Sequence, residues 1–216
     1  MFDLDGVLVD TARFHYLAWK LLAEKLGFSF TEQDNERLKG ISRMESLRIL
    51  LEIGRINLSD QEKIKYADEK NEVYLGYIQK MTPADVLPGV TSFLQELKQN
   101  SIATGLGSAS KNARIILEKT GIESLFDVIV DGNLVTNAKP DPEVFEQGAR
   151  LLEINNQSCV VFEDAVAGIQ AAHKAGMKCV GIGSPDILHE ADLVFPGLDG
   201  LRINDLIFAD HRINEI

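Results

Sequence analysis

Five short, mostly apolar runs punctuate the chain, at residues 2–4, 102–106, 126–130, 159–162 and 178–182. Their length and composition suit parallel strands buried on both faces. Between them run helical patterns. Val90, Phe93, Leu94 and Leu97 recur on one helix face. Asp141-Pro142-Glu143 reads as an N-cap followed by proline at the first helical position. Gly121 and Gly176 fall where helices should end. Alternating strands and helices predict an α/β fold.

Residues from about 11 to 81 break this rhythm with helical patterns alone. Phe14, Leu17, Ala18, Leu21 and Leu22 form one apolar stripe, and Met44, Leu47, Leu50 and Leu51 read as core. Ser42 with Glu45, and Ser59 with Glu62, have capping-box spacing. The pattern is a helical insert after the first strand, closed by a connector at 81–89 stiffened by Pro83 and Pro88. Only Met1 and Phe2 precede Asp3, against about five residues in an ordinary strand, so the front half of that strand is expected to be missing.

Composition narrows the partners. Asp plus Glu number 33 and Lys plus Arg 22, a net charge of −11, which argues against nucleic acid or an acidic membrane surface. No apolar run is long enough to span a bilayer, and no secretory leader pattern is visible. Cys159 and Cys179 each sit in an apolar run and read as buried free thiols of a cytoplasmic protein. No strong interface signal appears, and a monomer is expected.

Chemistry gathers where apolar runs end. Asp3 and Asp5 are two apart, on one face of a strand end. Such a pair at 4 Å repels by roughly 4 kcal/mol at an intermediate dielectric, so a proton, a cationic side chain or a metal must offset it. Glu163 and Asp164 end another run, and ligands bind outside the carboxyl ends of parallel strands. An oxygen-only donor set favours a hard cation, Mg²⁺ above all if the substrate is a phosphate. A plain helix cap at Asp164 is the competing reading. Gly107-Ser108-Ala109-Ser110-Lys111-Asn112 opens a helix and is as consistent with an anion site as with simple capping by Ser110. Lys139, stiffened by Pro140, reads by itself as part of a surface loop, and only the nearby carboxylates raise it to a group that could neutralise charge. Thr11, His15 and Trp19 share a helix face, His15 being placed to orient Asp5 and Trp19 reading as structural. Lys39 and Arg43 flank a helix start in the insert. No Gly-x-Ser-x-Gly, P-loop or His-Glu-x-x-His pattern occurs.

Asp3-Leu4-Asp5-Gly6-Val7, Ser108, Lys139-Pro140 and Glu163-Asp164 resemble the four ordered motifs of haloacid-dehalogenase-like phosphotransferases, and the helical insert resembles their small cap domain. The likeness covers essentially the whole chain. The implied fold is a Rossmann-like three-layer core with a mostly parallel sheet, residues 1–10 and 84–216, and a helical cap at 11–83. Thr11, His15, Trp19, the 38–43 loop, Ser46 and 108–112 are similar to the family's glucose-phosphate mutase branch.

The resemblance implies that Asp3 is phosphorylated, Asp5 is the general acid and base, and Lys139 and Ser108 assist catalysis. It implies Mg²⁺ on the Asp3 carboxylate, the Asp5 carbonyl and Asp164, with Glu163 close by. Ser108 and the Ala109 N–H would hold the transferring phosphate. Arg43, Ser110, Lys111 and Asn112 would hold the other one. Lys39, Gly40, Ser46, His15 and Lys70 would serve sugar binding and closure. The implied reaction takes β-D-glucose 1-phosphate to glucose 6-phosphate through the 1,6-bisphosphate. A cap-containing sugar-phosphate phosphatase and a phospho-acceptor signalling module are the alternatives.

Overall fold

The computed structural model describes residues 1–38 and 41–206. After Asp3 the chain turns tightly: Leu8 N–H donates to Leu4 O and Gly6 N–H to Val9 O, both at 2.9 Å. Gly6 sits at φ 79°, where a side chain would be strained.

Four helices follow, α1 (Ala12–Lys25), α2 (Glu32–Glu36), α3 (Arg43–Gly54) and α4 (Asp60–Ile78). Ser59 and Glu62 form the expected reciprocal cap of α4. At α3 only half of it forms: Ser42 accepts from Glu45 N–H, while the Glu45 carboxylate turns to Arg48 at 2.7 Å. These helices share an apolar cluster around Trp19, Leu22, Leu47, Leu50 and Leu51. The predicted stripe on α1 is corrected: Leu17 and Leu21 are 39% and 47% exposed. The buried face is Ala18, Trp19, Leu22 and Ala23, because α1 packs there on α3 and α4 and Trp19 has the most area to hide. Met44 is likewise exposed rather than core. Ala18, Tyr74 and Ile78 join the main core instead. The chain returns through a 3₁₀ turn, Pro83–Asp85. Val86 then bridges antiparallel to Val9, so the way into the helices and the way out lie side by side.

The strands are β1 (Gly105–Gly107), β2 (Val128–Val130), β3 (Val160–Glu163), β4 (Lys178–Ile182) and β5 (Leu193–Phe195). The expected first strand shrinks to one residue: Phe2 bridges Leu106 on one side and Phe162 on the other, in parallel. Its ring stacks on Phe162 at 4.5 Å, so packing supplements a short ladder. The sheet order is β2-β1-Phe2-β3-β4-β5, all parallel. The strands expected from 102 and 126 begin at Gly105 and Val128, and β5 was not anticipated.

Side-chain parity makes the layers. Met1, Val161 and Cys179 pack on one side against Phe145, Ala149 and Ile169. Phe2, Val160, Phe162 and Val180 face Phe93, Leu94, Ile116 and Leu117. Helices α5 (Val90–Gln99) and α6 (Ala113–Thr120) cover that second face; α7 (Glu143–Leu152) and α8 (Val166–Lys174) cover the first. The cap of α7 is Pro142 rather than Asp141, although the Asp141 carboxylate still accepts from Glu143 N–H at 3.0 Å. Gly121 caps α6 in the left-handed region, and Gly176 follows α8 at φ 75°. Both cysteines are buried and free. Among the described residues, no helix is long and apolar enough to cross a membrane.

Candidate active site

The chain departs from the central Phe2 segment to β1 and β2 on one side and later to β3 on the other. The carboxyl ends of the three central segments therefore meet at a topological switch point. Asp3, Ser108 and Glu163 stand there.

Lys139 reaches this point from the loop before α7. Its buried Nζ lies 2.5 Å from Asp3 Oδ1 and 2.5 Å from Glu163 Oε1. Burial works against its charge, but the carboxylates of Asp3 and Glu163 outweigh it and raise the pKa. Asp3 Oδ2 also accepts from Asp5 N–H at 3.0 Å. Glu163 Oε2 accepts from Ala165 N–H at 2.9 Å. Burial raises the pKa of the Glu163 carboxyl against the pull of Lys139. Gly168 leaves it room, since a Cβ there would overlap the Glu163 carboxylate. Gly6 does the same for Asp164.

Oxygens of Asp3, Glu163 and Asp164 lie within 4.8 Å of one another. Three carboxylates against one ammonium form a hard, oxygen-only donor set with spare negative charge, which suits Mg²⁺. The Asp5 side chain stands outside this set. Its carboxylate accepts from the Thr11 hydroxyl, and burial, then Asp3, raises its pKa to about 7. That suits proton exchange near neutrality. Asp164 is not the cap of α8; Ala165 is.

Above these groups lies a cavity of about 470 Å³. Asp3, Asp5, Ser108, Lys139 and Asp164 line its floor. Ala109, Ser110, Lys111 and Asn112 line one wall. The wall loop is built by short hydrogen-bonded steps: Ser108 Oγ accepts from Ser110 N–H at 3.1 Å, and Ser110 Oγ from Asn112 N–H at 3.2 Å. Asn112, not Ser110, is the residue that caps α6.

His15, Trp19, Arg43, Ser46 and Lys70 line the opposite, helical wall. His15 does not hold Asp5, contrary to expectation. Its Nδ1 faces Lys70 Nζ at 2.9 Å, and burial, then Lys70, lowers its pKa well below 6.5. A neutral ring can accept from the ammonium. Lys70 in turn lies 4.5 Å above the Trp19 ring and 4.7 Å above Tyr74. Burial, then Arg43, lowers its pKa to about 7. Thr11 and Glu163 are not in the cavity wall: Thr11 holds Asp5, and Glu163 holds Lys139. Lys39 and Gly40 lie outside the described residues.

Met44, expected in the core, lines the cavity, and so do Asp68 and Asn71, which no sequence motif marks. Asp68 stands 3.8 Å from Arg43, and Asn71 Oδ1 accepts from Asn112 Nδ2 at 2.9 Å. The readable signal was the spacing of Ile64, Ala67, Asp68, Asn71 and Tyr74, one face of α4 turned to the cavity.

Comparison with known proteins agrees with this architecture. Residues 1–182 match the haloacid dehalogenase-like hydrolase family. A β-phosphoglucomutase of Bacillus subtilis is 44% identical over 219 residues, covering 100% of this chain and 97% of that protein. A phosphorylated carbohydrates phosphatase of Thermotoga maritima is 33% identical, over 82% of this chain and 81% of that one. The crystal structure of a β-phosphoglucomutase from Clostridium difficile superposes with a TM-score of 0.92 at 44% identity, covering 99% and 96% of the two chains. The fold is a three-layer α/β domain of the phosphotransferase type. The chain belongs to the haloacid dehalogenase-like hydrolase family.

Proposed function

We propose that this chain is a β-phosphoglucomutase, interconverting β-D-glucose 1-phosphate and glucose 6-phosphate through the 1,6-bisphosphate. The observation that carries the reading is a cavity with a potential nucleophile, Asp3, on its floor and Arg43 and Lys111 on facing walls. A bisphosphate can lie across that space with either phosphate at Asp3.

An Asp3 oxygen attacks phosphorus, and the bond from phosphorus to the sugar oxygen breaks. Asp5 gives that oxygen a proton; in the return half it takes one from the hydroxyl that is phosphorylated. Lys139, Ser108 and the Ala109 N–H offset charge on the phosphoryl oxygens. The Asp3 carboxylate, the Asp5 carbonyl and Asp164 would hold Mg²⁺, with Glu163 close by, and the metal would supply further charge neutralisation there. Arg43, Ser110, Lys111 and Asn112 bind the other phosphate, Arg43 through its planar fork. His15, Trp19, Ser46 and Lys70 form the sugar wall, and the resemblance adds Lys39 and Gly40 to sugar binding.

We assign residues 11–83 to the cap and 1–10 with 84–216 to the core; the paired Val9 and Val86 at the crossing support this division. Closure of the cap keeps water from the aspartyl phosphate. We take the chain to be a monomer, and two free thiols suit a reducing cytoplasm.

Phosphorus NMR with β-glucose 1-phosphate and trace bisphosphate tests the reaction. Glucose 6-phosphate should accumulate. Net release of inorganic phosphate in its place would reassign the chain as a sugar-phosphate phosphatase. Asp3→Asn should abolish the phosphoenzyme and lower turnover roughly 10⁴-fold or more.

A further inference from the structure

We propose that Asn71 is a positioning residue: it holds the Asn112 carboxamide with its NH₂ group toward the distal phosphate, and so ties closure of the helical wall to phosphate binding. This rests on the mutase reading above.

A carboxamide has two nearly isosteric ends of opposite polarity. Facing an anion, the NH₂ end attracts and the oxygen repels. Asn112 makes no side-chain cap to its own helix α6, so the helix end does not choose between the two ends. The pairing with Asn71 does. Its Oδ1 accepts from Asn112 Nδ2 at 2.9 Å across the cavity, and an acceptor can engage only the NH₂ end. The second N–H of that group stays available to an anion.

The support for Asn71 comes from α4. Lys70 and Tyr74, next to it and three residues on, are 3% and 1% exposed, which fixes the rotation of the helix. One turn earlier on the same face, Asp68 faces Arg43 at 3.8 Å. Positions 68 and 71 thus engage a distal-phosphate donor from each wall, Arg43 and Asn112.

The test is a double-variant cycle with Asn71→Ala, Asn112→Ala and both together. For Asn71→Ala, KM for β-glucose 1,6-bisphosphate should rise about tenfold, the scale of one hydrogen bond to a charged group. Its kcat should change by no more than about twofold, since the lost contact serves binding. The double variant should be no worse than Asn112→Ala alone. Labelling of Asp3 by acetyl phosphate, which has no distal phosphate, should be unchanged in Asn71→Ala. Multiplying effects in the double variant, or a matching loss of acetyl phosphate labelling, would overturn the role. If the wild type releases phosphate instead of forming glucose 6-phosphate, the mutase reading fails by itself; KM is then read from phosphate release, and Asn71 is still judged.

Discussion

Lys139, assigned above to charge neutralisation, also holds buried charge together, and one substitution tests that structural part. Its ammonium stands 2.5 Å from each of two buried carboxylates, Asp3 and Glu163. Removing one partner of a buried ion pair leaves uncompensated charge and costs roughly 3–5 kcal/mol. Lys139→Ala should therefore lower the unfolding free energy by about that much in urea titrations of metal-free protein. A change below 1 kcal/mol would mean that water already screens the pair. Asp5 gives a pH signature. Burial raises its pKa from 3.8 to about 7. The folded state thus binds the proton more tightly than the unfolded chain. That stabilisation is complete below 3.8 and is lost as pH rises through about 7. Asp5→Asn cannot ionise, so in metal-free protein it should gain stability over wild type as pH rises across that window. A difference that is flat with pH would refute the shift. At this scale the sequence was informative because charged residues ended apolar runs, as Asp3 and Glu163 illustrate. Contacts between remote polar groups were not legible. Nothing in the spacing of Thr11 and His15 said that the hydroxyl would take Asp5 and the imidazole Lys70.

Among the helices, α4 carries the most of the wall, through Asp68, Lys70, Asn71 and Tyr74. Its start is secured by the reciprocal bonds of Ser59 and Glu62, with Ser59 N–H donating to Glu62 Oε2 at 2.8 Å. Ser59→Ala removes the side-chain half and should cost about 1 kcal/mol. For a chain of this length that is a fall in Tm of roughly 2–4 °C, readable by calorimetry. No change in Tm would mean that α4 is held by packing alone. This cap was visible in sequence because it lies within four residues. The buried face of α1 was not. Its two apolar candidates share Ala18 and Leu22, and only the tertiary partners α3 and α4 decide that Trp19 goes in and Leu21 stays out. Short strands were equally hard to read. Phe2 is a strand only by pairing on both sides, and the three half-buried residues of β5 lack a distinctive run.

For the whole molecule, the decisive feature is charge brought together from distant stretches of chain. Counted over these four side chains, Asp3, Glu163 and Asp164 bring three negative charges against the one positive charge of Lys139. A divalent ion bound there would offset the acidic excess, and a ligand that binds only the folded state raises its stability. At a hundred times its dissociation constant, Mg²⁺ should add about 2.7 kcal/mol. That corresponds to a rise in Tm of roughly 5–10 °C at this chain length. Asp164→Ala removes one donor while leaving Lys139 its two bonds to Asp3 and Glu163, so this variant should stay folded and lose most of the Mg²⁺-dependent rise. Calorimetry with and without EDTA reads both effects. An equal rise in wild type and Asp164→Ala would move the metal elsewhere, and with it the reason for acidic side chains to gather at the switch point of a molecule whose net charge is already −11.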